Sequence, residues 1–317
     1  MRVVMMGTGR FAEPTFEALL HSRHTVAALV VNPDRPSGRE REMVRTIKKI
    51  ALAHNVPVFQ PEKINTPEAI ARLREFSPEL LVVAAYGHIL SPAVLAVAPH
   101  GGINVHASLL PKYRGAAPVA WAIYYGETQT GVTIIRMSPQ MDAGDILAQE
   151  VVEIYPEETA GELEARLAQI GARLALQVID QIEAGTVHAT PQDSTQATRA
   201  PKLKKEHGLI DWSRSAQQIV NHIRAMQPWP TAYTFWHRPN KPPLRLIIRK
   251  ALALEETGEA PPGTLVQVTS KEARVACGQG TLRLLKVQPE GGRTLEISEF
   301  LRGYPMSIGQ RLGAETP

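Results

Sequence analysis

The sequence predicts an α/β protein in which a Rossmann-like, mostly parallel sheet with helices on both faces is followed by a small OB-like β-barrel. Over the first 185 residues short β-rich runs alternate with helical patterns, the mark of right-handed βαβ units. From Gly185 to Lys205 the chain turns polar, rich in Thr, Gln, Ser and Lys, and periodicity lapses. Beyond Pro230 short apolar runs are separated by Gly and Pro turns, as in a small barrel. Because 317 residues is about twice a typical domain, two domains are expected, at 1–189 and 206–317, with a linker over 190–205.

Each element has its own signal. Val3 to Met6, Val26 to Val31, Val56 to Phe59 and Leu80 to Ala85 are apolar runs of strand length. Thr66, Pro67 and Glu68 open a helix as N-cap, first helical residue and first-turn acid, and Phe76-Ser77-Pro78 ends it. Strands are expected again at Gly102 to Ala107, Gly131 to Met137 and Ile146 to Ile154. Leu163, Leu167, Ile170, Leu174 and Val178 recur at helical spacing and predict one long amphipathic helix over 160–184. Past the polar stretch, Asp211-Trp212-Ser213 is expected to open a helix with Ala216, Ile219, Val220 and Ile223 on one face, closed by Pro228-Trp229-Pro230. Strands over 233–236, 244–254, 264–268, 274–276 and 281–287 would complete the barrel.

Composition excludes several classes. With 44% hydrophobic and 21% charged residues and no apolar stretch near the roughly 18 residues of a membrane span, a soluble globular protein is expected. The apolar run after Met1-Arg2 stops at Gly7, lacks a signal peptide's apolar core and reads as a first strand, and a single cysteine fits a reducing cytoplasm, the expected location. Cys277 is the single cysteine, so no intramolecular disulfide and no CxxC zinc pair can form. His21 and His24 stand at HxxH spacing without nearby thiol or carboxylate ligands, and no metal is expected. Charge is uneven: from residue 201 onward 17 Lys+Arg face 10 Asp+Glu, a net of +7, against 18 and 21, a net of −3, before it. A basic C-terminal third suits a polyanionic partner, and equally a solvated basic face.

The segment from Ile103 to Gly115 carries the most chemistry. On a strand, Asn104 and His106 project from the same face, setting an amide donor beside an imidazole. Pro111 and Gly115 end regular structure, so both groups would lie near the C-terminal edge of the sheet, where open α/β folds keep their ligand crevices. Taken alone, the pair also reads as a strand-end Asn and a hydrogen-bonded core His. Met141-Asp142-Ala143-Gly144-Asp145 reads as a turn, in which Asp commonly bonds its own backbone. A carboxylate beside His106 would instead favour its charged form and fix its orientation. Asn, His and Asp together suit acyl transfer to nitrogen: two donors stabilise the oxyanion formed when an amine attacks a formyl carbon, each typically worth about 2.7–4 kcal/mol. The attacking amine needs no protein nucleophile, in keeping with the lack of a GxSxG elbow.

N-x-H followed by SLLPKYRG, then MDAGDI at 141–146, resembles the active-site signature of the folate-dependent formyltransferase family. The resemblance implies that Asn104 and His106 contact the formyl oxygen and that Asp142 pairs with His106 and assists proton transfer. It also implies that Ser108, Leu109, Leu110 and Pro111 lie against 10-formyltetrahydrofolate. Tyr86 to Pro92, with Tyr86 and Leu90, is similar to another block of the family whose backbone helps hold the pterin. Ala200 to Glu206, Ile210-Asp211-Trp212, Pro228-Trp229-Pro230 and Pro262-Gly263-Thr264 resemble the C-terminal domain of the members that act on tRNA. The resemblance thus spans nearly the whole chain and implies initiator methionyl-tRNA as acceptor and a monomeric protein. A basic C-terminal domain carrying Lys204 and Lys205 would grip tRNA phosphates without reading bases. Arg35, Arg39 and Arg41 fall in the loop where those members contact the acceptor end. After Arg39 the sequence departs from the family's Gly- and Lys-rich run, and a solvated loop is the alternative there.

Three other readings remain open at this stage. Gly7-Thr8-Gly9-Arg10-Phe11-Ala12, with Asp34 downstream, fits a dinucleotide-binding Rossmann enzyme. A sugar-nucleotide N-formyltransferase can share the catalytic signature and a C-terminal barrel. A non-catalytic RNA-binding protein built on a basic barrel would leave N-x-H and Asp142 without purpose.

Overall fold

The computed structural model describes residues 1–34, 39–256 and 259–316, with residues 39–43 described through their backbone alone. It divides into two compact units. The first comprises Met1–Pro118, Gln129–Glu153 and Glu162–Pro201; the second comprises Val119–Thr128, Ile154–Gly161 and Lys202–Pro317. The stretch 190–205, expected from sequence as a linker, is therefore shared between the units at Pro201.

In chain order the elements up to residue 200 are β1 (Arg2–Gly7), α1 (Glu13–Leu20), β2 (Thr25–Val30), α2 (Arg39–Ala53), β3 (Val58–Phe59), α3 (Pro67–Glu75), β4 (Leu80–Ala84), α4 (Pro92–Leu95), β5 (Gly102–His106), β6 (Arg114–Gly115), α5 (Pro118–Tyr124), β7 (Gln129–Arg136), β8 (Ile146–Glu153), α6 (Ala160–Ala184) and β9 (Arg199–Ala200). The main sheet has the order β3-β2-β1-β4-β5-β7-β8. Its first five strands are parallel, while β7 runs antiparallel to both β5 and β8. Parallel strands covered on both faces must be apolar throughout, and β4 is buried at all five positions. The helix start read from Thr66 is present: its hydroxyl accepts from the Ala69 amide at 3.3 Å, with Pro67 at the first helical position.

The remaining elements are α7 (Ala216–Ala225), β10 (Tyr233–His237), β11 (Leu244–Leu254), β12 (Leu265–Val268), β13 (Ala273–Ala276), β14 (Thr281–Pro289), β15 (Leu295–Glu296), α8 (Ile297–Gly303) and β16 (Arg311–Gly313). The antiparallel path β12-β13-β14-β11-β10-β16 curls until its ends meet. The Leu265 amide donates to Gln310 O at 2.9 Å and the Leu312 amide to Gly263 O at 2.7 Å, which nearly closes a barrel. Trp212 Nε1 donates to Thr234 Oγ1 at 3.0 Å inside the barrel, so its buried polar atom is satisfied.

Sequence reasoning placed the start of α7 at Asp211–Ser213, but the helix begins later. The Asp211 carboxylate bonds the amide and hydroxyl of Ser213 in a local turn, at 3.0 and 2.6 Å, and Ser215 with Gln218 forms the actual capping box. The short β15, α8 and β16 carried no signal long enough to be read. Among the described residues no helix is long and apolar enough to cross a membrane.

His222 on α7 is 3% exposed. Its Nε2 bonds the His207 carbonyl at 2.7 Å, and Tyr124 stands edge-on to its ring at 5.4 Å. Burial pushes its pKa down from 6.5 to about 4; the His207 carbonyl and Asp211 oppose this, and Arg214 adds to it. Between those values the unfolded chain binds a proton that the folded chain does not, so stability is full above about pH 6.5 and drains away as pH falls toward 4. The loss should reach the order of 3 kcal/mol. Urea titrations of the wild type and of His222→Gln across that window should show the wild type losing stability on acidification more steeply than the variant.

Candidate active site

β5 fixes two of the three candidate catalytic side chains. It pairs with β4 and β7 along its length, and its alternation sends Asn104 and His106 to one side while Ile103 and Val105 pack into the core. Asn104 is half-buried and His106 is 5% exposed. The β7-to-β8 connection brings the third, Asp142. Its carboxylate takes a hydrogen bond from Asn104 Nδ2 at 3.4 Å on Oδ1 and one from the Gly115 amide at 2.8 Å on Oδ2, and lies 3.7 Å from His106 Nδ1. The other imidazole nitrogen, Nε2, is 3.0 Å from the Tyr113 carbonyl. Both ring nitrogens thus face oxygen acceptors, the nearer one at Nε2.

The connection is shaped tightly. Asp142 has φ +50°, the left-handed region that Asp tolerates better than most residues. Gly144 has no room for a side chain, because a Cβ there would collide with the Arg136 carbonyl oxygen. The Arg136 amide bonds Asp145 O at 2.9 Å and the Met137 amide bonds Gly102 O at 2.8 Å, stitching the loop to the sheet.

The residues expected at the folate fall into two groups. After β5, the Ser108 hydroxyl donates to Lys112 O at 2.7 Å, while the Leu110 amide and carbonyl bond Thr133 Oγ1 at 3.2 Å and Gln149 Nε2 at 3.0 Å. Leu109 is half-buried, as is Pro111, which follows Leu110 through a cis peptide bond. This segment is held by its own backbone. After β4, Tyr86 and Leu90 are 2% and 1% exposed and belong to the core, where burial pushes the Tyr86 phenol up to about 12. What this loop offers a ligand is backbone, with φ +48° at Ala85 and +77° at Gly87, beside the exposed Ile89. Two open grooves in this unit, about 650 Å³ between α1 and α6 and about 340 Å³ beside Phe59 and Thr66, share no residue with the Asn104, His106 and Asp142 set.

The residues expected at tRNA fall on different stretches of the chain. Arg35 lies outside the described residues, and Arg39 and Arg41 fall on the first turn of α2, where only backbone is described. Lys204 and Lys205 are exposed in the second unit, at a 3₁₀ turn over Lys205–Gly208. The features that suggested a dinucleotide site have structural uses. A Cβ on Gly7 would strike the Ala84 carbonyl and Ala12, and Asp34 is paired with Lys48 at 2.7 Å. Cys277 is buried in the second unit, its thiol pushed up to about 12 by burial, which removes it as a nucleophile.

Comparison with known proteins bears on this geometry directly. Residues 1–179 match the formyl transferase family, and residues 202–305 match the formyl transferase C-terminal domain. The chain belongs to the formyl transferase family. It is 44% identical over 315 residues to the methionyl-tRNA formyltransferase of Solibacter usitatus, covering 99% of each chain. To the methionyl-tRNA formyltransferase of Geobacter sulfurreducens it is 41% identical over 314 residues, covering 99% of this chain and 97% of that one. Among solved structures, this formyl transferase shares its fold with WlaRD, a sugar 3N-formyl transferase. The TM-score is 0.66 at 17% identity, over 92% of this chain and 99% of that one. It also matches HypX from Aquifex aeolicus in complex with tetrahydrofolic acid, with TM-score 0.64 at 16% identity, over 97% of this chain and 48% of that one.

The roles of two residues around the site, Gly115 and Gln192, are not legible in the sequence. The Gly115 amide anchors Asp142, and Gly115 is itself obligatory: at φ +129° the Ala200 backbone lies where its Cβ would be. A glycine following Arg114 was the one available hint. Gln192, in the polar stretch, bonds the backbone of Asp142 and of Gly144 at 2.8 and 2.7 Å; nothing in that stretch marks it. Gly144→Ala should destabilise this formyl transferase by about 1–3 kcal/mol, the usual cost of overpacking. Its formyl-transfer rate should fall as the loop moves Asp142, so urea midpoint and rate, measured on one preparation, should drop together.

Proposed function

We propose that this protein transfers the formyl group of 10-formyltetrahydrofolate to the α-amine of initiator methionyl-tRNA. The observation that carries the reading is the Asp142 carboxylate set between the Asn104 amide and the His106 imidazole, on a chain related end to end to methionyl-tRNA formyltransferases. The likeness to WlaRD, a sugar N-formyl transferase, is one of fold.

The two side-chain donors are held loosely, Asn104 at 3.4 Å and His106 at 3.7 Å from the carboxylate. The Asn104 bond is weak at this length and the His106 contact lies beyond hydrogen-bond distance; such contacts commonly tighten only once substrate binds. A formyl oxygen entering there would draw Asn104 Nδ2 and His106 Nδ1 together. As the neutral α-amine attacks, the new C–N bond forms, the bond from carbon to N10 breaks, and the amine proton must reach N10. Asn104 and His106 donate to the oxygen as it takes on charge. Asp142 keeps His106 oriented and serves as the way station for the proton. The segments after β4 and β5 would hold the folate through backbone groups, and the basic C-terminal region, Lys204 and Lys205 included, would bind the tRNA phosphates.

The reading is tested by offering methionyl-tRNA, glycinamide ribonucleotide and an amino-sugar nucleotide in parallel, with 10-formyltetrahydrofolate as donor. Transfer to methionyl-tRNA far above the other two is expected, and preference for either rival would sink the assignment. In the same assay His106→Ala should lower kcat by about 100-fold or more, the scale of losing an oxyanion donor. Binding of tRNA should weaken steeply with salt as counterions are released, by about tenfold or more between roughly 50 and 200 mM. A filter-binding series that stays flat across that range would remove the basic region as the grip.

A further inference from the structure

Gln192 makes four hydrogen bonds that use every donor and both acceptor sites of its amide. Its Nε2 donates to Asp142 O at 2.8 Å and Gly144 O at 2.7 Å, while its Oε1 accepts from Arg114 Nε at 3.1 Å and Nη2 at 2.6 Å. One amide thus ties the backbone of the left-handed Asp142 turn to the residue before Gly115, whose amide holds the Asp142 carboxylate.

The segment around Gln192 grips the same two loops at further points. Thr190 exchanges two backbone bonds with Ile146, at 2.8 and 2.9 Å, just past the Asp142 loop. Thr198 takes the Tyr113 amide on its hydroxyl at 2.8 Å and the Arg114 amide on its carbonyl at 2.9 Å, and Ala200 O takes the Ala117 amide at 3.2 Å. Tyr113, held there at φ +61°, presents the carbonyl that faces His106 Nε2. Residues 190–200 therefore brace from outside the loops that aim His106 and Asp142, although no side chain of this segment touches either catalytic side chain among the bonds described.

We infer that Gln192 is a positioning residue for formyl transfer: by clamping the Asp142 and Gly144 carbonyls to Arg114 it sets where the Asp142 carboxylate stands relative to His106 and Asn104. This rests on the formyl-transfer reading above. Gln192→Met keeps the volume and removes all four bonds. Gln192→Glu keeps an acceptor for Arg114 but turns lone pairs toward the two carbonyls, so a donor returns only when the introduced carboxyl is protonated.

The experiment measures kcat, KM for 10-formyltetrahydrofolate and for methionyl-tRNA, and thermal melting for the wild type, His106→Ala and both Gln192 variants across a pH series. Gln192→Met should lose about 10- to 100-fold in kcat, the scale of a small misplacement of reacting groups, with both KM values unchanged. Relative to wild type at the same pH, Gln192→Glu should recover as pH falls while Gln192→Met stays flat. Should Gln192→Met fail to fold, the pH-dependent recovery of Gln192→Glu decides alone. Wild-type kcat in a folded Gln192→Met, a loss confined to KM, or a Gln192→Glu deficit that is flat with pH overturns the inference. Those outcomes with an active wild type and a crippled His106→Ala leave the formyl-transfer reading intact. A wild type without transfer activity removes that reading, and the inference with it.

Discussion

Everything at the site depends on how one carboxylate is held. Asp142 sits on a connection between antiparallel strands, the kind of segment that ordinarily moves, yet its oxygens must stand within reach of two side chains fixed on β5. The Gly115 amide supplies the short bond, 2.8 Å, Asn104 supplies a longer one at 3.4 Å, and His106 Nδ1 stands 3.7 Å away. Backbone carries the positional constraint and leaves the amide and imidazole with capacity for a stronger acceptor. Hydrogen bonds to a charged group contribute about 1.5–3 kcal/mol, so a well-made backbone bond can hold a left-handed turn that would otherwise relax.

The sheet makes this economical. Asn104 and His106 need no special turn to converge, since two-residue periodicity on a buried strand places them side by side. β5 is paired on both edges, which removes most of its freedom, and Ile103 and Val105 secure its opposite side in the core. Rigid strand and pinned loop are complementary means to one geometry: the first comes from apolar burial, the second from polar contacts at glycines whose Cα atoms admit no Cβ.

Much of this was legible in the residues, for reasons that differ by element. The long helix could be bounded at 160–184 because Leu163, Leu167, Ile170, Leu174 and Val178 repeat over several turns, and β11 could be bounded at Leu244–Leu254 by its length. The start of α7 could not, because Asp211-Trp212-Ser213 reads as a helix start, and only tertiary context assigns it to a turn and the cap to Ser215. At the site, residue types and the family signature drew attention to Asn104, His106 and Asp142, but not to what restrains them. Gly115 acts through its amide and Gln192 through carbonyls of another segment. A main-chain donor leaves no trace in the side-chain alphabet, and a lone Gln in a polar stretch has no pattern to join.

The second unit is assembled from three stretches of chain, 119–128, 154–161 and everything after Pro201. Trp121 and Tyr124 pack their rings against His207 and His222, and the Tyr155 and Glu158 carbonyls, each 3.2 Å from Arg224 Nη1, accept from that guanidinium. Family matching draws a boundary at residue 202, but physical cohesion does not respect it. A C-terminal piece cut there and spliced onto another protein would arrive with exposed imidazoles and an arginine that has lost two of its carbonyl partners. The unit is therefore not a portable cassette, and recombination that shuffles it has to carry parts of the preceding gene with it.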